Sequence, residues 1–226
     1  DAGPARPLSE DEHAEHTGAF GTALAAVLDE DVPDVLHAIG WTSGLAALHA
    51  QAHSEKDQSG TPIVQTFHSL NASEQRSGLP DRPDRARMET ILAARADHVL
   101  VNSTDQQGEL ARLRVPRHHV SVVPFGVDPD HFSVEGSASA EPWHSRREER
   151  ARLVSVTSLT EAGGARRLVE SMVRLPEAEL ALVSTAEDQE VALDENARGI
   201  ELLAKELGVD DRVHLTGPLE RKELPR

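Results

Sequence analysis

Pro33-Asp34-Val35-Leu36-His37-Ala38-Ile39 runs through Gly40 into Trp41-Thr42-Ser43-Gly44-Leu45. The first part is an apolar run launched by a proline and reads as a buried strand. From Trp41 to Ala52 the apolar residues fall at Leu45, Ala46, Leu48 and Ala52, a helical period that Thr42 or Ser43 would cap. A strand delivered directly into a helix is half of a βαβ unit, and the chain then repeats it. Thr61–His68 is the next strand. Asn71–Asp84, rich in Ser, Gly, Pro and charge, reads as a loop. Arg85–Arg95 is a helix, and His98–Asn102 is a strand that ends at Ser103-Thr104, the cap of a helix through Leu113. Val120–Pro124 is a strand again. Such alternation with short connections predicts an α/β fold with a doubly wound parallel sheet.

Outward from this first series the composition changes. Ser133–Arg150 carries Gly, Ser, Pro and a charged run, and reads as a linker. The rhythm then restarts. Leu153–Val156 and Glu179–Val183 are strands around a helix at Ala165–Arg174. A further helix ends at Leu207 against Gly208, and Val213–Gly217 is the last strand. The expected organisation is therefore residues 1–132 as one Rossmann-like domain, 133–150 as linker, and 151–226 as the first part of a second Rossmann-like domain. Gly126, in Val123-Pro124-Phe125-Gly126-Val127-Asp128, is expected to adopt a backbone geometry closed to other residues.

The 226 residues suffice for one large domain or two small ones. Lys+Arg total 23 against Asp+Glu 39, a net charge of −16, which excludes nucleic acid and anionic membrane surfaces as partners drawn by bulk electrostatics. With 0 cysteines, disulfide scaffolds, thiolate zinc sites and cysteine nucleophiles are excluded. No apolar run approaches the roughly 20 residues of a membrane helix. The chain opens Asp1-Ala2-Gly3-Pro4 with neither a basic nor an apolar leader region, so a cytoplasmic location is expected. It opens without Met and stops at Pro225-Arg226 as a polar helix begins, and both ends are expected to be missing.

Ligands of open α/β sheets bind at the carboxyl ends of the strands. Gly40-Trp41-Thr42-Ser43-Gly44 enters a helix N-terminus there, suited to an anion or polar ligand, and equally to a tight turn with Trp41 as core. His68 follows the next strand in Thr66-Phe67-His68-Ser69-Leu70. It is placed for acid–base work or for bonding a hydroxyl or phosphate, and as one of 12 histidines it also reads as a surface residue. Glu89 is either a buried partner of a ligand hydroxyl or a helix-surface charge paired with Arg85 at i−4. Ser103 reads as a helix cap. His13/His16 and His49/His53 have helical spacings but bring no metalloprotease carboxylate, so no metal is expected.

Taken in order, these segments resemble the family 4 glycosyltransferases, the retaining, nucleotide-sugar-dependent enzymes of GT-B fold. The resemblance rests on Pro33–His37, Trp41–Leu45, Gly60–Leu70, Ala94–Ser103, Val122–Asp128 and Glu206–Val213. It implies a GT-B-like pair of Rossmann-like domains, the N-terminal one on the acceptor side and lacking the family's first strand with its Gly-rich loop, the C-terminal one binding a nucleotide sugar, with no cofactor and no metal. The partners implied are a nucleotide sugar and a sugar or polyol acceptor, with peripheral membrane contact confined to regions outside this chain. His68 matches the family's active-site histidine. Trp41, Ser43 and Gly44 match an acceptor-side turn, Glu89 an acceptor-domain carboxylate and Ser103 a cleft hydroxyl. Gly126 and Asp128 match the segment leading to the crossover. Retention implies front-face attack assisted by the leaving phosphate, with His68 positioning and polarising.

The departures lie in the donor half. Ser158 stands where the family has an Arg, and Gly163 where it has a Lys, the two cations that grip the donor diphosphate. Gly164 and Arg166 are the local substitutes: a backbone nest at Gly163-Gly164 with the helix dipole behind it, and the Arg166 guanidinium swung toward the phosphate. Ile39 stands where many relatives have a second His. The alternative to a transferase is accordingly a non-catalytic relative that binds carbohydrate or a partner subunit.

Overall fold

A computed structural model describes residues 3–6, 8, 10–56, 60–133, 150–184 and 195–224. The chain divides into two compact units, Asp1–Gly126 and Val127–Arg226. Of the linker expected at 133–150, all but Ser133 and Arg150 lies outside the described residues.

The N-terminal unit runs α1 (Glu10–Glu30), β1 (Leu36–Ile39), α2 (Trp41–His53), β2 (Ile63–Phe67), α3 (Asn71–Arg76), α4 (Pro83–Arg95), β3 (His98–Val101), α5 (Thr104–Arg112) and β4 (Val120–Val122). The strands form one parallel sheet in the order β1-β2-β3-β4. Leu36 pairs with Ile63, Val64 with His98, and Val99 with Val120. Strand side chains alternate between faces, so Ala38, Ile63, Phe67, Val99, Val101 and Val120 share one. That face packs on Ala47 of α2, Leu92 and Ala93 of α4 and Leu110 of α5, all buried.

Five local features differ from the expectation. The helix α1 runs far beyond the helical spacing of His13 and His16, which is all the sequence marks of it. What holds it is a short apolar stripe, Ala25 and Leu28, buried against Ala50 of α2. The first strand is an edge strand and only partly buried: Ile39 is 50% exposed. The helix α2 begins at Trp41, one residue before the expected caps. Its cap is Gly40 at φ +84°, ψ 158°, a conformation open essentially to glycine, with no side-chain cap bond from Thr42 or Ser43. The segment read as a loop contains α3, which is capped through tertiary structure rather than by its own sequence. Gly126 is not among the glycines at positive φ, so the special geometry expected of it is absent.

The C-terminal unit holds β5 (Ala151–Thr157), a 3-10 turn (Glu161–Gly163), α6 (Ala165–Met172), β6 (Ala178–Ser184), α7 (Glu195–Glu206) and β7 (Val213–Pro218). Its parallel order is β5-β6-β7. Every residue of the central β6 is buried, as a two-sided parallel strand requires. Leu180 and Leu182 pack with Val169 and Met172 of α6 and with Ile200 and Ala204 of α7. Arg212 is buried too. Its guanidinium donates to the carbonyls of Leu175 (2.7 Å), Ala178 (3.0 Å) and Met172 (3.2 Å), tying the turn after α6 to the start of β6. No helix among the described residues is long and apolar enough to cross a membrane.

Candidate active site at the strand ends

In the N-terminal unit the carboxyl ends of β2, β3 and β4 are joined by side-chain amides. His68, exposed just past β2, has its Nδ1 3.0 Å from Oδ1 of Asn102, just past β3. The Asn102 Nδ2 donates to the carbonyl of Val123, just past β4, at 3.0 Å. Gln106, buried on the first turn of α5, donates through Nε2 to the His68 carbonyl (2.7 Å) and accepts the Asn102 N–H at Oε1 (2.8 Å). One face of the His68 imidazole is covered by Phe125, with ring centroids 5.2 Å apart and planes 29° apart. Phe125 itself is 68% exposed. The histidine is thus held at its backbone, at Nδ1 and on one ring face, leaving Nε2 and the other face for a ligand.

Glu89 is buried rather than a helix-surface charge, and it does pair with Arg85 four residues before it. It is 2% exposed and accepts the Asn71 N–H on both oxygens (3.1 and 3.0 Å) and Arg85 Nε at 2.7 Å. This carboxylate therefore caps α3. Arg85, 4% exposed, continues to Glu74 (2.9 Å) and to Ser69 Oγ (2.8 Å), the residue after His68. Burial pushes the Glu89 carboxyl above its ordinary range, against the opposing pull of the Asn71 N–H and Arg85. The pair frames the Ser69–Asn71 turn beside the histidine.

Ser103 accepts the Gln106 N–H at Oγ (3.2 Å), the cap expected of it. Gly44 is buried beneath α2. A Cβ there would lie 2.0 Å from Gln65 Oε1 and 2.8 Å from Leu92 Cδ2, so its smallness serves the contact of α2 with β2. Trp41 is partly buried against the same core. Ser43 faces an open cleft of about 460 Å³ between the start of α1 and the start of α2. Its lining includes His13, His16, Thr17, Phe20, Ile39 and Thr42. Ile39 pairs in register with Thr66, two residues before His68, so cleft and histidine share one sheet edge.

The stretch of the C-terminal unit expected to meet the donor phosphate is built differently from the expected nest. The N–H groups of Gly163 and Gly164 are spent inside the 3-10 turn, on Thr160 (3.0 Å) and Glu161 (3.2 Å) carbonyls. Ser158 Oγ turns back to Thr160 Oγ1 at 2.8 Å. A Cβ on Gly163 would stand 1.7 Å from the Ser158 carbonyl oxygen. Gly164 takes the left-handed conformation at φ +73° as the cap of α6, and Arg166 lies exposed on that helix's first turn. No group of three or more His, Asp or Glu that could hold a metal occurs among the described residues.

Residues 1–131 match the family model described as Glycosyltransferase Family 4. The chain belongs to that family. Among the relatives of this family 4 chain is a D-inositol 3-phosphate glycosyltransferase of Kribbella flavida, 28% identical over 99% of the chain and 54% of the relative. Among solved structures, sucrose-phosphate synthase from Thermosynechococcus elongatus superposes with TM-score 0.77 at 21% identity, covering 99% of this chain and 55% of that one. Anabaena HepE, in complex with UDP and glucose, gives 0.66 at 16% identity, covering 97% and 56%. At such identities the structures establish a shared GT-B fold. The family 4 chain spans about half the length of the proteins it matches.

Sequence reasoning placed His68 at this edge but missed its holders. Asn102 reads from the sequence only as the end of a strand and Phe125 only as part of a turn, and Gln106 carries no signal of its own. The available signal was positional: Asn102 follows a strand, and Gln106 lies three residues past the cap, where a side chain turns back toward the strand ends.

Proposed function

We propose that the protein containing this chain transfers a glycosyl group from a nucleotide sugar to a hydroxyl of a sugar or polyol, with retention and without a metal. The observation that carries this is His68, fixed past β2 by Asn102, Gln106 and Phe125 in a chain of this family. The inositol phosphate named for the Kribbella relative and the UDP held by HepE support the substrate classes. The acceptor would lie along the edge shared by His68 and the Ser43 cleft. Its hydroxyl attacks the anomeric carbon on the face from which the diphosphate departs. The C–O bond to the acceptor forms, the bond to phosphate breaks, and the hydroxyl proton passes to a leaving phosphate oxygen. His68 bonds a substrate hydroxyl and orients it.

The turn at Ser158–Gly164 favours a second reading, a relative with a decayed donor site, since it offers neither cation nor nest. Calorimetric titration of UDP- and GDP-sugars into the full-length protein separates the two. Micromolar binding, with turnover that falls about a hundredfold in His68→Ala at unchanged melting temperature, supports a transferase. Absence of binding supports the second reading, and unchanged turnover in the variant removes His68 from the reaction.

A further inference from the structure

We infer that Asn102 is a positioning residue that holds His68 as its Nδ1–H tautomer, and that Gln106 keeps the two strand ends in register for this contact. The substrate then meets Nε2 as a hydrogen-bond acceptor. The inference concerns the same site as the proposed transfer, and its role in turnover rests on that reading.

The argument starts at Val123. A backbone carbonyl only accepts, so the Asn102 atom 3.0 Å from it is the NH2 group. Rotating the amide by half a turn would set two acceptors against each other. The Asn102 oxygen must therefore face His68 Nδ1, 3.0 Å away, and an amide oxygen only accepts as well. The proton thus sits on Nδ1. In the neutral ring, Nε2 then carries the lone pair. An imidazole in water prefers the opposite tautomer, with the proton on Nε2. The site has imposed a choice that solvent would not make.

Gln106 makes the choice durable. It is 8% exposed and ties the His68 carbonyl to the Asn102 N–H through one planar amide. Its own N–H is held by Ser103 Oγ. The backbones that carry imidazole and amide therefore cannot drift apart without leaving a buried donor and a buried acceptor unpaired. Phe125 blocks rotation of the ring out of the Asn102 plane on one side. A ligand hydroxyl then donates to Nε2, which suits a neutral sugar or polyol hydroxyl and disfavours an anionic oxygen at that position.

The test is nitrogen-15 spectroscopy of the chain labelled at histidine, at a pH where the imidazole is neutral, with His68 signals assigned by their loss in His68→Gln. Expected are a protonated-type Nδ1 and an unprotonated-type Nε2. In Asn102→Ala the pattern should move toward the Nε2–H form. Gln106→Ala should shift it partway. A native ring showing Nε2–H overturns the inference, and this requires no variant to fold. An unchanged pattern in a folded Asn102→Ala overturns it too. In the full-length protein, Asn102→Ala should lower kcat about tenfold with KM within about twofold. A native Nδ1–H ring in a protein without transfer activity would leave the positioning standing and remove the transferase reading alone.

Discussion

The residues that decide most here are small or buried. Gly44 and Gly163 each occupy space that a methyl group cannot enter. Gly44→Ala should cost about 1–3 kcal/mol, the range for overpacking a tight contact, and lower the melting temperature accordingly. Restoring the family's cations with Ser158→Arg and Gly163→Lys should not simply rebuild a donor clamp. The new Cβ would collide with the Ser158 carbonyl, so the double variant should melt below the native chain by a comparable amount unless the whole 3-10 turn moves. Removing one member of the buried pair is costlier. Arg85→Ala leaves Glu89 without its ion partner and should cost about 3–5 kcal/mol, measured by denaturant unfolding. The Glu89 carboxyl titrates above 4.5 in the folded chain. The folded state therefore holds an extra proton in the window just above that value, and stability from this group falls as pH rises through it. The stability of the native chain relative to Glu89→Gln should decline from pH 4.5 upward. A difference independent of pH would mean the carboxyl is not raised.

At the scale of elements, helix ends are closed by partners distant in the chain. Asp29, near the end of α1, accepts from Ser54 Oγ (2.6 Å) and from the N–H groups of Glu55 (2.8 Å) and Lys56 (3.0 Å), just past α2. Those bonds hold its carboxyl below the ordinary 3.8, led by Ser54. Their contribution is present above that value and is lost as pH falls through the lowered one. Asp29→Ala should raise amide exchange at Glu55 and Lys56 at neutral pH and leave the β-strand amides protected. The strands and most helices were legible in the sequence because hydrophobic period and flanking Gly, Pro and Ser encode them locally. What was not legible was tertiary in origin. The start of α3 depends on a carboxylate on α4, the first helix depends on a few apolar residues meeting α2, and His68 owes its orientation to amides on another strand and helix. The same limit applies at the Ser158–Gly164 turn: the lack of a cation at positions 158 and 163 is plain from the sequence, whereas the spent N–H groups depend on the fold of the turn.

At the scale of the whole molecule, two sheets, one ending at Val122 and one beginning at Ala151, belong to separate compact units. Limited proteolysis should cut first within residues 127–150 and leave fragments that melt independently; first cleavage inside Val99–Val123 would contradict the division. One feature of the N-terminal sheet reaches beyond the folded state. Each of its strands pairs with the strand that follows it in the chain, from β1 to β4, and among the described residues no later strand inserts between two earlier ones. Every new βα unit can therefore add to an edge already made. As this segment leaves the ribosome, β1 to β4 can therefore pair in the order in which they emerge, each on the strand made just before it.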